Sequence, residues 1–278
     1  MNKTGRIYLQ QTDREFLEMC CHFGYLTANH FAEWIYKGTI PNARRRLLML
    51  CKAGYLRFVS RREEAGLKKV YIPNLEKLVG IVEDQELERG KLSCQSKPWF
   101  RSLSRHEDIV RDWAIRLQKA FPEADVDLDF MYLKSSENSN KVDPRACSLF
   151  PDITLRRWGK PDIAFEVELS RKCSSRYLRK LLSLLASPNR PTVYLVEDSS
   201  VFAAVHKQID IARQILKRRN QQTKSEVLLI LCSTVQGDGK LAQLVEKIES
   251  GKCASECATI ERTKERTLKD KENLEMIS

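Results

Sequence analysis

Acidic residues between positions 150 and 172 have the types and the spacing that metal-dependent chemistry requires. Glu166 and Glu168 lie two residues apart in an apolar run that predicts a strand over residues 163–169. Because side chains alternate along a strand, both glutamates point to the same face. Asp152 precedes a second predicted strand, over residues 153–157, and this hairpin partner can bring its carboxylate to the glutamates. Converging carboxylates with a nearby lysine describe a Mg²⁺ site for phosphodiester cleavage.

The elements that must position these carboxylates follow from hydrophobic patterning. Ser104 and Glu107 form a capping-box pattern that begins a helix ending before Pro122. Residues 125–133 alternate polar and apolar, which predicts a half-buried strand. After the carboxylates come a helix over residues 174–187, a buried strand over 192–197, a helix over 199–216 and a buried strand over 227–232. The sequence therefore predicts a mixed α+β or α/β domain with the order αβββαβ and an added helix and strand.

The first 80 residues predict a separate, helical module. A capping box at Thr12 begins a helix that Gly24 ends, and Thr27 begins a second, short helix. A third helix is expected from Asn42 to Gly54. Two β-prone stretches, residues 55–59 and 67–72, then flank a polar loop and predict a hairpin. Three helices followed by a hairpin form the layout of a winged helix-turn-helix.

Basic residues concentrate on two parts of this module. Three consecutive arginines lie at the start of the third helix, where a recognition helix enters the DNA major groove. Four more basic residues lie on the hairpin, where they can grip flanking phosphates. These seven expected DNA-binding residues are Arg44, Arg45, Arg46, Arg61, Arg62, Lys68 and Lys69. The alternative is that the module docks another protein and that its arginines are a solvated face.

The overall composition supports a nucleic-acid partner. The chain carries 48 Lys and Arg against 37 Asp and Glu, a net charge of +11, and residues 1–80 hold 14 of the basic against 7 of the acidic residues. No apolar run approaches the roughly 20 residues of a membrane helix. Nine cysteines without a CxxC pair indicate free thiols, so a bacterial cytoplasmic location is expected. The motifs of P-loop NTPases, dinucleotide-binding enzymes, zinc proteases and α/β-hydrolases do not occur.

The run from Pro151-Asp152 through a hairpin to Phe165-Glu166-Val167-Glu168 and a basic helix resembles the PD-(D/E)xK nuclease superfamily. The resemblance implies a restriction-endonuclease-like core in which Asp152, Glu166 and Glu168 hold Mg²⁺ or Mn²⁺. The family's usual lysine follows the glutamate by two residues, but those positions are Glu168 and Ser170 here. The nearest lysine, Lys172, is therefore the expected catalytic lysine, and Lys160 is a poor second.

Several other residues are expected near this site. His106 and Glu107, at the start of the helix before the core, are possible accessory groups. The helix after the site would face backbone phosphates with Arg176, Arg179 and Lys180.

A winged helix joined to such a core resembles, more narrowly, the MobC-class relaxases and replication–relaxation proteins of plasmids. The resemblance implies a mobilization protein that nicks DNA at a plasmid or mobile-element origin, with other relaxosome proteins as possible partners. Two alternatives stay open: a non-enzymatic DNA-binding accessory or regulator with a degenerate nuclease fold, and a transposon-end or restriction-type nuclease that cuts both strands. The expected organisation is a winged helix over residues 1–82, a linker over 83–103, the nuclease-like domain over 104–250 and a charged, disordered tail over 251–278.

Overall fold

The computed structural model describes residues 7–63, 66–94, 105–128, 151–186, 190–223, 225–235 and 238–250. These residues form a protein of mixed α and β class, with two sheets among the described ranges. The chain divides into two compact units. Unit 1 comprises Met1–Arg116 with Val126–Ile153, and unit 2 comprises Leu117–Asp125 with Thr154–Ser278. Within the described ranges, no helix combines the length and apolarity that crossing a bilayer requires.

Unit 1 contains the three helices and the hairpin that the sequence predicts. Its elements are α1 (Gln11–Phe23), β1 (Leu26–Thr27), α2 (Ala28–His30) with a π-helical continuation (Phe31–Ile35), α3 (Ile40–Lys52), β2 (Leu56–Glu63), β3 (Gly66–Pro73), α4 (Leu75–Leu78), α5 (Asp84–Cys94) and most of α6 (Arg105–Ala120). The three strands are antiparallel in the order β1-β3-β2.

The ends of the first helices follow local hydrogen bonding. The Asp13 carboxylate accepts from the backbone N–H of Gln10 at 2.7 Å, so α1 begins at Gln11 and not at the expected Thr12 cap. Gly24 ends the helix with φ 79°, as expected of a residue that can adopt positive φ. Thr27 caps α2, because its Oγ1 accepts from the His30 N–H at 3.3 Å.

The core of unit 1 fixes which face of α3 is exposed. Phe16 of α1 and Phe31 pack edge to face with ring centroids 4.7 Å apart. Ala43, Leu47 and Leu50 of α3 are completely buried. This spacing of three and four residues places one stripe of α3 in the core and leaves the opposite face to solvent.

The expected linker is partly helical. Residues 84–94 form α5, which packs on α1, and Leu87 is buried there. Gly90 permits this close approach, since a Cβ at that position would lie 3.3 Å from the Cβ of Cys21. The first three turns of α6 also belong to unit 1, although the sequence assigned them to the second domain. Residues 95–103 of the expected linker lie outside the described residues, as do residues 129–133 of the predicted strand and the tail from 251 onwards.

The second sheet has the strand order β4-β5-β6-β7-β8, in which β6, β7 and β8 are parallel. Its strands are β4 (Asp125–Leu128), β5 (Ile153–Arg156), β6 (Ile163–Glu168), β7 (Thr192–Val196) and β8 (Val227–Leu231). The helices of unit 2 are α7 (Ser174–Ala186), α8 (Ser199–Arg218) and α9 (Asp238–Glu249), with a 3₁₀ turn at Cys232–Val235. The sequence predicted β5–β8, α7 and α8 to within two residues and the start of β4 at Asp125, and it did not predict α9.

Helices α7 and α8 cover one face of the parallel strands. Tyr194 and Val196 of β7 form a buried apolar cluster with Leu181 of α7 and with Val205 and other residues of α8. In the parallel register Glu166 lies beside Tyr194 and Glu168 beside Val196. Register neighbours share a face of a sheet, so the two glutamates point toward the face that α7 and α8 cover.

Candidate functional site

A basic groove lies on unit 1 between α2, α3 and the β2–β3 hairpin. Its volume is about 460 Å³. The residues that line it combine basic side chains with apolar and aromatic ones: Thr27, Ala28, Asn29, Arg44, Arg45, Leu48, Phe58, Lys68, Lys69 and Tyr71. We call this surface the α3 groove. Four of the seven residues that the sequence assigned to DNA binding line it.

Arg44 and Arg45 occupy the exposed face of α3. Both follow Pro41 in the first two turns of the helix and lie opposite the buried stripe of Ala43 and Leu47. Leu48, one turn further on, is 42% exposed beside them. The exposed face of α3 therefore presents two guanidinium groups and an apolar side chain to the groove.

Arg46 differs from its expected role. Its Nε donates to Asp13 Oδ1 at 2.9 Å, and its Nη2 donates to Asp13 Oδ2 and to the Tyr8 carbonyl oxygen. These contacts raise the pKa of Arg46, chiefly through the hydrogen bond to Asp13. Position 46 falls between the buried positions 43 and 50, and for that reason its side chain ties α3 to α1 and does not line the groove.

The hairpin side of the groove carries Lys68 and Lys69. Lys69 is exposed, and its Nζ lies 4.3 Å from the centre of the Phe58 ring. Lys68 Nζ lies 2.6 Å from Asp108 Oδ2 of α6. Asp108 therefore neutralises one of the four cations of the groove. The side chains of Arg61 and Arg62 lie outside the described part of the chain.

Asp108 belongs to a buried polar cluster that the sequence analysis missed. Tyr25 Oη donates to Asp108 Oδ1 at 3.1 Å, and the Arg111 guanidinium lies 3.8 Å from the centre of the Tyr25 ring. Burial raises the pKa of Tyr25. The cluster accounts for the packing of the start of α6 in unit 1 and for the fixed position of Lys68.

The two glutamates of β6 form an acidic site in unit 2, and each is paired with a lysine. Glu166 Oε2 lies 2.5 Å from Lys180 Nζ, and Glu168 Oε2 lies 2.7 Å from Lys172 Nζ. Both glutamates are only 4% exposed. Lys172, the lysine that the sequence predicts to be catalytic, therefore contacts one of the two glutamates, and its catalytic role stays a prediction. Lys180 differs from its expected role, because it turns inward from α7 to Glu166 instead of facing the phosphate backbone.

Tyr177 of α7 holds the loop that carries Lys172. Its Oη accepts from the Lys172 backbone N–H at 3.1 Å and donates to the Ser170 carbonyl oxygen at 3.2 Å. Burial raises the pKa of Tyr177, which keeps the phenol protonated for this donation. The tyrosine therefore positions the turn between β6 and α7. Arg176 and Arg179 of the same helix are exposed, as expected of groups that contact a polyanion.

Asp152 and the two expected accessory residues, His106 and Glu107, belong to unit 1. His106 Nε2 lies 3.4 Å from Asp152 Oδ2, so these two predicted site residues are close together. Glu107 is bound to Arg111 of the same helix, with 2.7 Å between Oε2 and Nη1. The glutamates of β6 belong to unit 2. The convergence of Asp152 with those glutamates stays a prediction.

The donor set of the acidic site is compatible with Mg²⁺. Magnesium is commonly held by one or two carboxylates, with water and substrate phosphate completing its coordination. Glu166 and Glu168 share a strand face, and each lysine contact uses one oxygen of its carboxylate. Across the described residues, no group of three or more His, Cys, Asp or Glu side chains is arranged to hold a metal ion. The two glutamates would therefore be the protein's ligands, with Asp152 as the predicted third.

Comparisons with known proteins identify no family. No protein-family model, no curated protein and no solved structure matches this chain. The function is therefore inferred from the α3 groove and from the acidic site of β6.

Proposed function

We propose that this protein binds double-stranded DNA through the α3 groove. The observation that supports this proposal is the arrangement of Arg44 and Arg45 on the exposed face of α3 opposite Lys69 on the hairpin. An α-helix fits the DNA major groove, which is about 12 Å wide. Arg44 and Arg45 would then reach base edges or phosphates, and Lys69 would contact the flanking backbone, as in a winged helix-turn-helix.

A salt titration tests this proposal. We expect the double substitution Arg44→Ala and Arg45→Ala to weaken binding to a random-sequence duplex at least tenfold near 100 mM salt. The plot of log Kobs against log salt should become shallower by about 2 units, since each lost phosphate contact removes about 0.9. The measurement is fluorescence anisotropy of a labelled duplex at several KCl concentrations.

The matched control removes two cations from the same unit at exposed positions outside the groove. Arg14 and Lys77 are exposed on α1 and α4. Their double substitution by alanine makes the same change in net charge and should leave affinity and slope within twofold and 0.5 units of the parent. Equal losses in both double variants would contradict a specific role for the groove.

A second candidate function is metal-dependent cleavage of the DNA that the groove binds, by a nuclease or origin-nicking relaxase. The observation that favours it is the pair of glutamates on one strand face, each with its own lysine, toward the carboxyl end of a parallel strand. Ligands of open α/β sheets bind at the carboxyl ends of the strands. Bound Mg²⁺ would supply Lewis-acid stabilisation of the phosphate and an activated water. Lys172 and Lys180 would lie beside the developing charge, and Asp152 would contribute the third carboxylate.

The test is conversion of supercoiled plasmid to nicked or linear forms with Mg²⁺, with Mn²⁺ and with EDTA. We expect nicked circles, since the predicted activity cuts one strand. Glu166→Gln and Asp152→Asn should abolish nicking without weakening duplex binding, and Lys172→Ala should slow it at least a hundredfold. Linear product would favour a nuclease that cuts both strands. No cleavage of any plasmid would leave DNA binding as the function of the protein.

A further inference from the structure

A second basic surface lies in unit 2, at the carboxyl-terminal end of α8. Residues 211–225 contain five basic residues and no acidic one. Arg213 and Lys217 lie one turn apart on the exposed face of α8, and with Gln221, Gln222 and Thr223 they line an open depression of about 500 Å³. Arg218 and Arg219 are exposed at the helix end. We call this surface the α8 patch.

The helix dipole accounts for only part of this charge. Cations in the last turn of a helix are stabilised by its partial negative charge, which explains Lys217 and Arg218. Arg213 lies more than a turn before the helix end, and its nearest described acidic contact, Asp210 Oδ1, is 3.8 Å away and half exposed. Four exposed cations within seven residues repel one another unless an anion is bound. The patch therefore has the charge of a polyanion-binding surface.

The side chains around the cations indicate which class of polyanion the α8 patch binds. Gln221, Gln222 and Thr223 carry side-chain donors of the kind that proteins use to bind phosphate oxygens of nucleic acids. A peripheral membrane surface additionally needs apolar side chains that enter the lipid. The large exposed hydrophobic side chains of the described residues are elsewhere, at positions 8, 40, 48, 49, 58, 59, 79 and 158.

We propose that the α8 patch is a second, sequence-independent contact surface for the phosphate backbone of DNA. The proposal deepens the proposed DNA-binding function and rests on it for the identity of the polyanion. The α3 groove would supply base contacts, and the α8 patch would add phosphate contacts in a different unit of the same chain. Binding would then depend on salt more steeply than the groove alone explains.

The experiment compares four full-length proteins on a random-sequence 30-base-pair duplex: the parent, Arg213→Gln with Lys217→Gln, Arg44→Ala with Arg45→Ala, and all four changes together. Glutamine keeps the helix and removes only charge. We expect the patch variant to bind threefold to tenfold more weakly and its salt slope to fall by about 2 units. The variant with all four substitutions should show the sum of the two separate changes in salt slope.

The control replaces Lys207 and Lys240 by glutamine, because both are exposed in unit 2 outside the patch. A patch variant with the slope and affinity of this control would overturn the proposal. If the patch variant loses slope while the groove variant does not, the patch is a DNA surface and the proposed role of the groove fails. If the parent binds phosphatidylserine vesicles but no duplex, and the patch variant loses that binding, the patch is a lipid surface and the proposal is wrong. Unchanged thermal unfolding of each variant by circular dichroism excludes misfolding as the cause.

Discussion

At the scale of single residues, the acidic site depends on two ion pairs of unequal exposure. The Glu166 side chain is 6% exposed, whereas that of its partner Lys180 is 25% exposed. A lysine that loses its partner can extend its ammonium group toward water. A buried carboxylate cannot reach water in this way, and removing the lysine that neutralises it is strongly unfavourable. The two halves of the pair should therefore differ in their effect on stability.

We expect Lys180→Met to lower the free energy of unfolding by roughly 2–3 kcal/mol and Glu166→Gln by only about 1 kcal/mol. The double variant should be more stable than Lys180→Met alone, since it also removes the buried negative charge that Lys180 neutralises. Urea unfolding followed by circular dichroism measures all three. Lys207→Met, at an exposed position of α8, is the control; a Lys180→Met variant as stable as this control would contradict the buried ion pair.

The sequence alone could place the two glutamates but not their lysines. Strand alternation puts Glu166 and Glu168 on one face whatever surrounds the strand. The contact of Lys180 depends on the rotation of α7, which the packing of Tyr177, Leu181 and Leu185 sets. The inward position of Arg46 could in principle be predicted, because positions 43, 46, 47 and 50 share one side of a helix. Its acceptor Asp13 could not be predicted, since it lies 33 residues away along the chain.

At the scale of elements, the difference from expectation is α5. Residues 84–94 are rich in charge and contain Gly90, a composition that favours a linker when read locally. They are helical because α1 offers a surface on which Leu87 is buried and Gly90 fits closely. Patterning predicted the long helices α1, α3, α6, α7 and α8 and the strands β2, β3 and β5–β8 because their apolar stripes are strong, but it did not predict β1, α4 or α9. A weakly amphipathic helix is specified by the surface it packs on, which no local pattern contains.

A substitution at Gly90 tests the packing of α5 on α1, and a substitution at Gly239 of α9 is its control. At an exposed position inside a helix, a Gly→Ala substitution stabilises the protein by about 1 kcal/mol. Gly239, in the first turn of α9, has no atom within 4 Å of an added Cβ, so Gly239→Ala should raise the unfolding free energy by several tenths of a kcal/mol. At Gly90 the added Cβ would lie 2.7 Å from Leu75 Cδ2 and 3.3 Å from Cys21 Cβ. We expect overpacking to outweigh propensity there, with a net loss of about 1 kcal/mol in urea unfolding. A stabilised Gly90→Ala variant would mean that α5 does not pack closely on α1.

At the scale of the whole molecule, two basic surfaces, the α3 groove and the α8 patch, contribute to the net charge of +11. The first was visible in the sequence because residues 1–80 carry 14 basic and 7 acidic residues. The second was hidden because the acidic residues of the remaining chain offset residues 211–225 in any long-window sum. The net charge of a short sequence window, such as residues 211–225, does reveal this cluster of basic residues. Whether its cations lie on a surface depends on the fold of α8, whose buried face includes Val205, Ile209 and Leu216.

The stability of the protein should depend on pH through a buried histidine. His30 caps α2 beside Thr27, and burial lowers its pKa to about 4, with Arg111 and Lys68 adding to the effect and Asp112 and Asp108 opposing it. The unfolded chain binds a proton at this position below its ordinary pKa near 6.5, whereas the folded chain does so only near 4. The unfolded state therefore binds more protons between these values, and stability falls as the pH falls through this window.

We expect a loss of about 2 kcal/mol of unfolding free energy from this group between pH 7 and pH 5. Burial also raises the pKa values of Glu18 and Glu33, so these carboxylates take up protons earlier in the folded state and oppose the trend. The comparison must therefore be with His30→Gln, which keeps the carboxylates and removes the titration. Between pH 7 and pH 5, the unfolding free energy of His30→Gln in urea should change by about 2 kcal/mol less than that of the parent. His206→Gln, at a histidine whose side chain is 42% exposed, is the control for the substitution itself. Parallel pH profiles for the parent and His30→Gln would contradict the lowered pKa, because they would show that the folded protein protonates His30 as readily as the unfolded chain does.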